Sequence, residues 1–227
     1  MIERLVPSAS SYSGDIDGLF WLVVVIVGFW YFVTLAMFLY LTWRYRAQEG
    51  VAAQYVTGKE PHLKSWITIP HAIIILCDVV LIAGAVRVWY NVKQWMPEDA
   101  EAVGIVAQQW AWTFYHAGPD GVLDTPDDIA MIDELHVQEG KTYVFRLSSL
   151  DVLHDFSVPA WRLKHDAIPG RVIMGWFEPT KAGEYDIQCA EICGIGHGIM
   201  GARVIVETPE KHAAWIESQS QRQVAAR

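Results

Sequence analysis

The sequence predicts an N-terminal two-helix transmembrane hairpin followed by an all-β sandwich that closes with a short C-terminal helix. Three observations carry this expectation. Residues 18–43 hold no charged side chain, and about 20 apolar residues suffice to cross a bilayer core. A second apolar run covers about 66–90. From residue 98 onward, short segments of partial alternation are broken by Gly, Pro and Asp turns, which is the pattern of a sandwich or barrel. The chain therefore divides into an anchor with an external N-terminal tail, 1–97, and an external β domain, 98–227.

The first run carries aromatics at both ends, Phe20 and Trp21, then Tyr40 and Trp43, as expected of residues that sit at membrane–water interfaces. The tail before it has acids and no basic region ahead of a cleavage site, so it does not read as a cleavable signal peptide. The second run has Trp66 and Trp89 at its ends. Between the runs stand Arg44, Arg46, Lys59 and Lys64, against Arg4 alone in the tail. The basic loop is expected in the cytoplasm, with the tail and the β domain outside: a two-pass protein of a bacterial inner membrane with a periplasmic domain. Lys64, His71 and Asp78 recur every seven residues, on nearly one helical face. Ionisable groups at that depth face protein or water rather than lipid, so this face is expected to meet another membrane subunit, as a docking contact or a proton path. Cys77 is expected to be a small packing residue.

In the β domain, strands are expected over 102–114, 129–137, 141–147, 152–159, 172–178, 184–189 and 202–207. A hairpin turn is expected at Glu139-Gly140, and a helix from Thr208-Pro209-Glu210 to about Ser218. Residues 118–128 crowd four aspartates into a turn-rich loop. An exposed hairpin loop is the expected role, with calcium on its oxygens as the alternative. From Glu98 to Asp155 twelve acidic residues stand against Lys141 and Arg146. Such a surface repels nucleic acid and suits a cationic partner.

The chemistry concentrates in 189–200, Cys-Ala-Glu-Ile-Cys-Gly-Ile-Gly-His-Gly-Ile-Met. Thiolate, imidazole and thioether form a soft donor set that favours copper or zinc over magnesium or calcium. The glycines at 194, 196 and 198 allow the loop to fold around a point. Three cysteines are too few for a disulfide framework, and a Cys189–Cys193 disulfide leaves the neighbouring His and Met unexplained. Cys189 and Cys193 are placed to bridge two metal ions. His154, 35 residues upstream, and His197 would each cap one, with Met200 and a backbone carbonyl as weak axial donors. Tetrahedral zinc on Cys189, Cys193, His197 and His154 is the rival. A Rieske cluster needs two close Cys/His pairs, which this chain lacks.

With these residues in place, the chain resembles subunit 2 of cytochrome c oxidase, in the haem–copper oxidase superfamily. The resemblance rests on Gln109-Trp110-Ala111-Trp112, on Asp151-Val152-Leu153-His154 with Val158-Pro159, on the run from Lys164 to Arg171, and on the 189–200 loop. It implies a cupredoxin-like domain whose dinuclear CuA centre is bridged by Cys189 and Cys193. His154 and Met200 would serve one copper, His197 and the Glu191 carbonyl the other. It further implies that the Glu191 side chain binds magnesium or manganese at the junction with a haem-bearing subunit 1. Trp110 would receive the electron from cytochrome c or a small copper protein, and Asp151 would belong to the acidic docking face.

Two departures stand out. Many relatives carry a Glu just before the Trp that opens the second helix, where this chain has Pro61-His62-Leu63-Lys64-Ser65, and His154 is followed by Asp155 where a small residue is common. No Cys-x-x-Cys-His occurs, so the donor is expected to be a separate protein. The expected function is a terminal oxidase that reduces oxygen to water, with the haem–copper centre in the partner. The alternatives are the same subunit in a nitric oxide reductase, or a membrane-tethered copper-binding protein. Nitrous oxide reductase, which also uses CuA, sits poorly with the membrane hairpin.

Overall fold

The computed structural model describes residues 5–53 and 55–225 and divides into two units, 17–90 and a second formed by the tail with 91–227. Arg4 lies outside the described residues.

The first unit is a helical hairpin. Helix α1 (Ser13–Arg44) and helix α2 (Lys64–Trp89) are both long and apolar enough to cross a membrane. They begin a few residues earlier than the charge-free windows suggest, because polar first turns extend a helix at no cost in water. Leu19 and Leu22 of α1 lie against Gly84 of α2. The less exposed positions of α2 are Pro70, Cys77, Leu81, Gly84 and Val88, recurring at helical spacing on one face. Cys77 is thus a packing residue. Lys64, His71 and Asp78 are all exposed and project roughly 100–140° around the helix from Cys77, away from the α1-facing stripe.

The second unit is a two-sheet sandwich. Its strands are β1 (Glu101–Gln108), β2 (Ala111–His116), β3 (Ile129–Ile132), β4 (Glu134–Gln138), β5 (Tyr143–Ser149), β6 (His154–Val158), β7 (Leu163–Ala167), β8 (Ile173–Phe177), β9 (Gly183–Cys189) and β10 (Gly201–Glu207), followed by helix α3 (Pro209–Ala225). One sheet has the order β3-β2-β1-β5-β8 and the other β4-β10-β9-β6-β7. The pairs β1–β5 and β4–β10 are parallel. Inward-facing residues alternate along the strands, and Trp112, Phe114, Phe145, Phe156, Trp161 and Phe177 fill the space between the sheets.

The tail belongs to this domain. Ala9 N–H donates to the Ala160 carbonyl at 2.9 Å, Thr180 N–H to Ala9 at 2.9 Å and Ser11 N–H to Glu178 at 3.0 Å.

Several expected elements are revised. The 102–114 strand breaks at Gln109-Trp110, because Gln109 N–H leaves the ladder to donate to the Asp151 carboxylate at 2.7 Å. The 129–137 strand breaks at Asp133, which takes a positive φ of 58°, accepts Trp112 N–H on its carboxylate and donates its own N–H to Trp112 O. The chain changes sheet there. It changes back through Glu139-Gly140, so that turn is a crossover between β4 and β5 and not a hairpin. Strand β7 was not expected, because His165 and Ala167 at inward positions give little apolar signal. Helix α3 runs beyond Ser218 because Gln221, Arg222 and Gln223 are good helix formers. The 118–128 loop does join an antiparallel pair, β2 and β3, and its carboxylates turn to the chain itself. Asp128 accepts Asp124 N–H at 2.8 Å, Asp127 accepts the Thr125 hydroxyl at 2.6 Å, and Asp124 pairs with Arg146.

Helix α3 docks through imidazoles. Trp215 stacks on His136, with centroids 4.2 Å apart, and meets His116 edge-on at 5.0 Å. His212 and His136 lie 3.1 and 3.3 Å from the two Glu207 carboxylate oxygens. Burial, then the nearby His136 and His212, pushes His116 down to about 3, whereas an unfolded histidine titrates near 6.5. The unfolded chain therefore takes up a proton below about pH 6.5 that the folded chain refuses, and stability is lost as the pH falls from there. Thermal unfolding at pH 7 and pH 5 should show a loss on acidification. In His116→Phe that loss should be smaller by up to about 2 kcal/mol; an unchanged pH dependence would contradict the assignment.

Candidate metal centre

The centre is built at one end of the sandwich. Strand β9 ends on Cys189 and β10 begins after Met200. Cys189 N–H donates to the Met200 carbonyl at 3.1 Å, which closes 190–199 into a loop. Inside it, His197 N–H reaches Gly194 O and Ile199 N–H reaches Gly196 O, each at 3.1 Å. Gly194 has φ +121°, and a Cβ on Gly196 would stand 2.3 Å from Trp110 Cδ2. Both positions therefore require glycine, whereas Gly198 has open space around it. Strand β6 starts with His154, and its register pairs Phe156 with Cys189, which brings the buried imidazole level with the loop.

The donor atoms converge. Cys189 Sγ and Cys193 Sγ are 3.7 Å apart, with Cys189 Sγ 3.8 Å from His154 Nδ1 and Cys193 Sγ 3.7 Å from His197 Nδ1. Met200 Sδ lies 3.1 Å from His154 Nδ1 and 3.7 Å from Cys193 Sγ, and the Glu191 carbonyl is 3.3 Å from Cys189 Sγ. Tetrahedral ions with ligand bonds of about 2.0–2.3 Å need donor separations of about 3.3–3.8 Å. The two thiols form an edge shared by two such donor sets, His154 with Met200 on one side and His197 with the Glu191 carbonyl on the other. The residues fit a two-metal thiolate-bridged centre. One zinc ion would leave Met200 and the Glu191 carbonyl, both in contact with the thiols, without a role. Burial, then the Cys189 thiol, pushes Cys193 up to about 11, so the metal-free chain carries it protonated at neutral pH.

Asp151 supports the centre from behind. One carboxylate oxygen is 2.9 Å from His154 Nε2 and accepts Val152 N–H at 2.6 Å. The other accepts Gln109 N–H at 2.7 Å. Burial works to raise this acid, and the hydrogen bonds from Gln109 and His154 outweigh it and hold it below its ordinary value. An anionic Asp151 draws the proton of His154 to Nε2 and leaves Nδ1 free to face the thiols, as oriented metal-ligating histidines require. Sequence reasoning placed Asp151 only on a docking surface. Its three-residue spacing from His154 was the available signal.

Trp110 lies on the β1–β2 turn, 37% exposed, while Trp112 is fully buried in the core. The strand break separates them, so they do not share a face. The Trp110 indole N–H donates to the Cys193 carbonyl at 3.3 Å, and Gln109 Nε2 donates to the same oxygen at 2.8 Å. Gln109 was not singled out from sequence as a site residue. The Glu191 side chain is exposed. Asp155, next to His154, points to the other face of β6 and pairs across the strand with Asp166. Burial, then the Asp166 hydrogen bond, pushes it up to about 6.

The acidic residues of 98–155 do not gather around this end. Strand direction sends Glu98, Asp99, Glu101 and Glu139 to the opposite end, and the 118–128 aspartates return only as far as Arg146.

A family model described as the periplasmic domain of cytochrome c oxidase subunit II matches residues 125–208. The chain is 33% identical over 235 residues to the alternative cytochrome c oxidase subunit 2 of Bradyrhizobium diazoefficiens, a match that spans 94% of this chain and 83% of that protein. It is 30% identical over 244 residues to cytochrome c oxidase subunit 2 of Cereibacter sphaeroides, spanning 93% and 78%. The solved periplasmic domain of cytochrome oxidase subunit II from Bradyrhizobium japonicum superposes with a TM-score of 0.50 at 26% identity, over 56% of this chain and 99% of that one.

Two outcomes follow for the centre. Asp151→Asn should weaken copper binding by about 10–100-fold in a competition titration; unchanged affinity would remove the supporting role. Copper uptake by the metal-free protein at pH 8 in weak buffer should release protons, since ligating thiols must ionise. Uptake without proton release would contradict a protonated Cys193.

Proposed function

The chain belongs to the cytochrome c oxidase subunit 2 family, and we propose that it is the subunit at which electrons enter a membrane terminal oxidase. It accepts them from a cytochrome c or a small copper protein and passes them toward haems in a partner subunit 1, where oxygen is reduced to water. The observation that carries this is the shared thiol edge, Cys189 and Cys193 at 3.7 Å, with a histidine on each side. A dinuclear copper centre bound there supplies a one-electron carrier that needs no substrate site.

The residues divide the work. Trp110 offers an exposed ring edge to a donor and is hydrogen-bonded to the Cys193 backbone, a short path from surface to thiol. Gln109 and Asp151 lock that turn to the centre from both sides. Burial of His154, Cys189, Cys193 and Met200 keeps water from the donor atoms and limits rearrangement when charge changes. The exposed Glu191 carboxylate is available for magnesium or manganese at the junction with subunit 1.

The hairpin fits an inner-membrane anchor. Its basic loop would lie in the cytoplasm, and the domain in the periplasm together with the tail that is hydrogen-bonded to it. The exposed Lys64, His71 and Asp78 would be covered by a partner's membrane helix. The replacement of the usual Glu by Lys64-Ser65 before Trp66 favours a second reading, in which the same subunit feeds a nitric oxide reductase.

Turnover by the purified multi-subunit complex decides between the two. With reduced cytochrome c, oxygen consumption is expected and nitric oxide consumption is not; the reverse pattern would establish the second reading. Trp110→Leu should lower the rate of electron acceptance by about thirtyfold, the order of a lost interface anchor, with copper absorption unchanged. A rate equal to that of the parent would remove Trp110 from the path.

A further inference from the structure

The loop that holds the copper ligands presents apolar side chains to solvent. Ile192, Ile195 and Ile199 are 76%, 96% and 85% exposed. One exposed isoleucine is ordinary. Three within a loop closed by the Cys189–Met200 hydrogen bond form a patch, and such patches on soluble surfaces mark contacts with other molecules.

Ile195 is placed by its neighbours. Gly194 and Gly196 both lie on the Trp110 ring: a Cβ on the first would be 3.2 Å from Cζ2, and on the second 2.3 Å from Cδ2. The backbone of Ile195 is therefore held beside the indole while its side chain stands in water.

Most of the charges nearby are spent inward, the exposed Glu191 of the same loop and Glu134 at the start of β4 excepted. Asp151 serves Gln109, Val152 and His154; Asp133 is engaged by Trp112 N–H at 2.8 Å; and Asp155 is buried against Asp166. The remaining acids of the 98–155 window lie mostly at the opposite end of the strands. A strongly basic donor has two exposed carboxylates to recognise here, Glu191 and Glu134, against three exposed isoleucines for an apolar one.

We propose that the partner docking on this end is a small electron-transfer protein that presents an apolar, weakly charged rim around its redox centre, with Ile195 as its central contact beside Trp110. The proposal rests on the electron-accepting role given above and names the class of donor. Association between such surfaces lacks long-range steering and depends little on ionic strength.

The test uses the purified oxidase complex and two reduced probes: azurin, whose docking face is apolar, and horse-heart cytochrome c, whose docking face is strongly basic. Copper absorption of the parent complex, read first, is the separate test of the electron-accepting role. Azurin should react faster than cytochrome c at about 0.15 M salt, with a second-order rate that changes less than about twofold between about 20 and 300 mM salt. Ile195→Ser should lower that rate by about tenfold or more, the loss of one buried aliphatic contact, with copper absorption and internal electron transfer unchanged. Azurin slower than cytochrome c at that salt, a steep loss of its rate with salt, or an Ile195→Ser rate within about twofold of the parent would each overturn the proposal.

Discussion

The end of the external domain that carries the 189–200 loop meets one demand: two thiols must be held 3.7 Å apart, out of water, before any metal arrives. A free thiol packs readily in an apolar interior, but a pair aligned on a shared edge persists only where strands and loop fix its position. Cys189 is anchored at a strand end and Cys193 in a loop closed by backbone hydrogen bonds. The glycines at 194 and 196 let that loop rest on Trp110, so the indole is the floor of the loop. Asp151 ties the same turn to His154. Five elements thus converge on one point, and each is constrained by a named contact.

The arrangement also explains how the domain separates two duties. The side formed by the loop is apolar at Ile195 and aromatic at Trp110. The opposite face carries Asp155 of β6 and its cross-strand partner Asp166 of β7, and near them Lys93 donates to the Lys164 carbonyl at 2.6 Å. His165 is pushed down to about 4 by burial and then by Lys93. The candidate metal ligands sit between an apolar surface and a polar one.

Much of this was legible in the sequence. The two long apolar helices follow from the charge-free run 18–43 and the second run 66–90, and the candidate metal ligands from residue type and spacing in 189–200 with His154 upstream. What escaped was set by tertiary hydrogen bonds that no periodicity encodes. Asp133 and the 109–110 turn interrupt apolar runs that read as continuous strands. The twelve acids of 98–155 suggested a docking face, but strand direction sends several to the opposite end, and backbone N–H groups engage Asp151 and Asp133 near the centre. Gln109 contributes through an amide whose partner, Cys193, lies 84 residues away, and Asp151 was visible only as a charge.

The central claim is that Cys189 and Cys193 bridge two copper ions. Electron paramagnetic resonance on the copper-loaded protein, with copper counted per chain, tests it most directly. The account predicts two coppers and a spectrum of one unpaired electron shared equally between them. A single copper with a spectrum confined to one nucleus would contradict it.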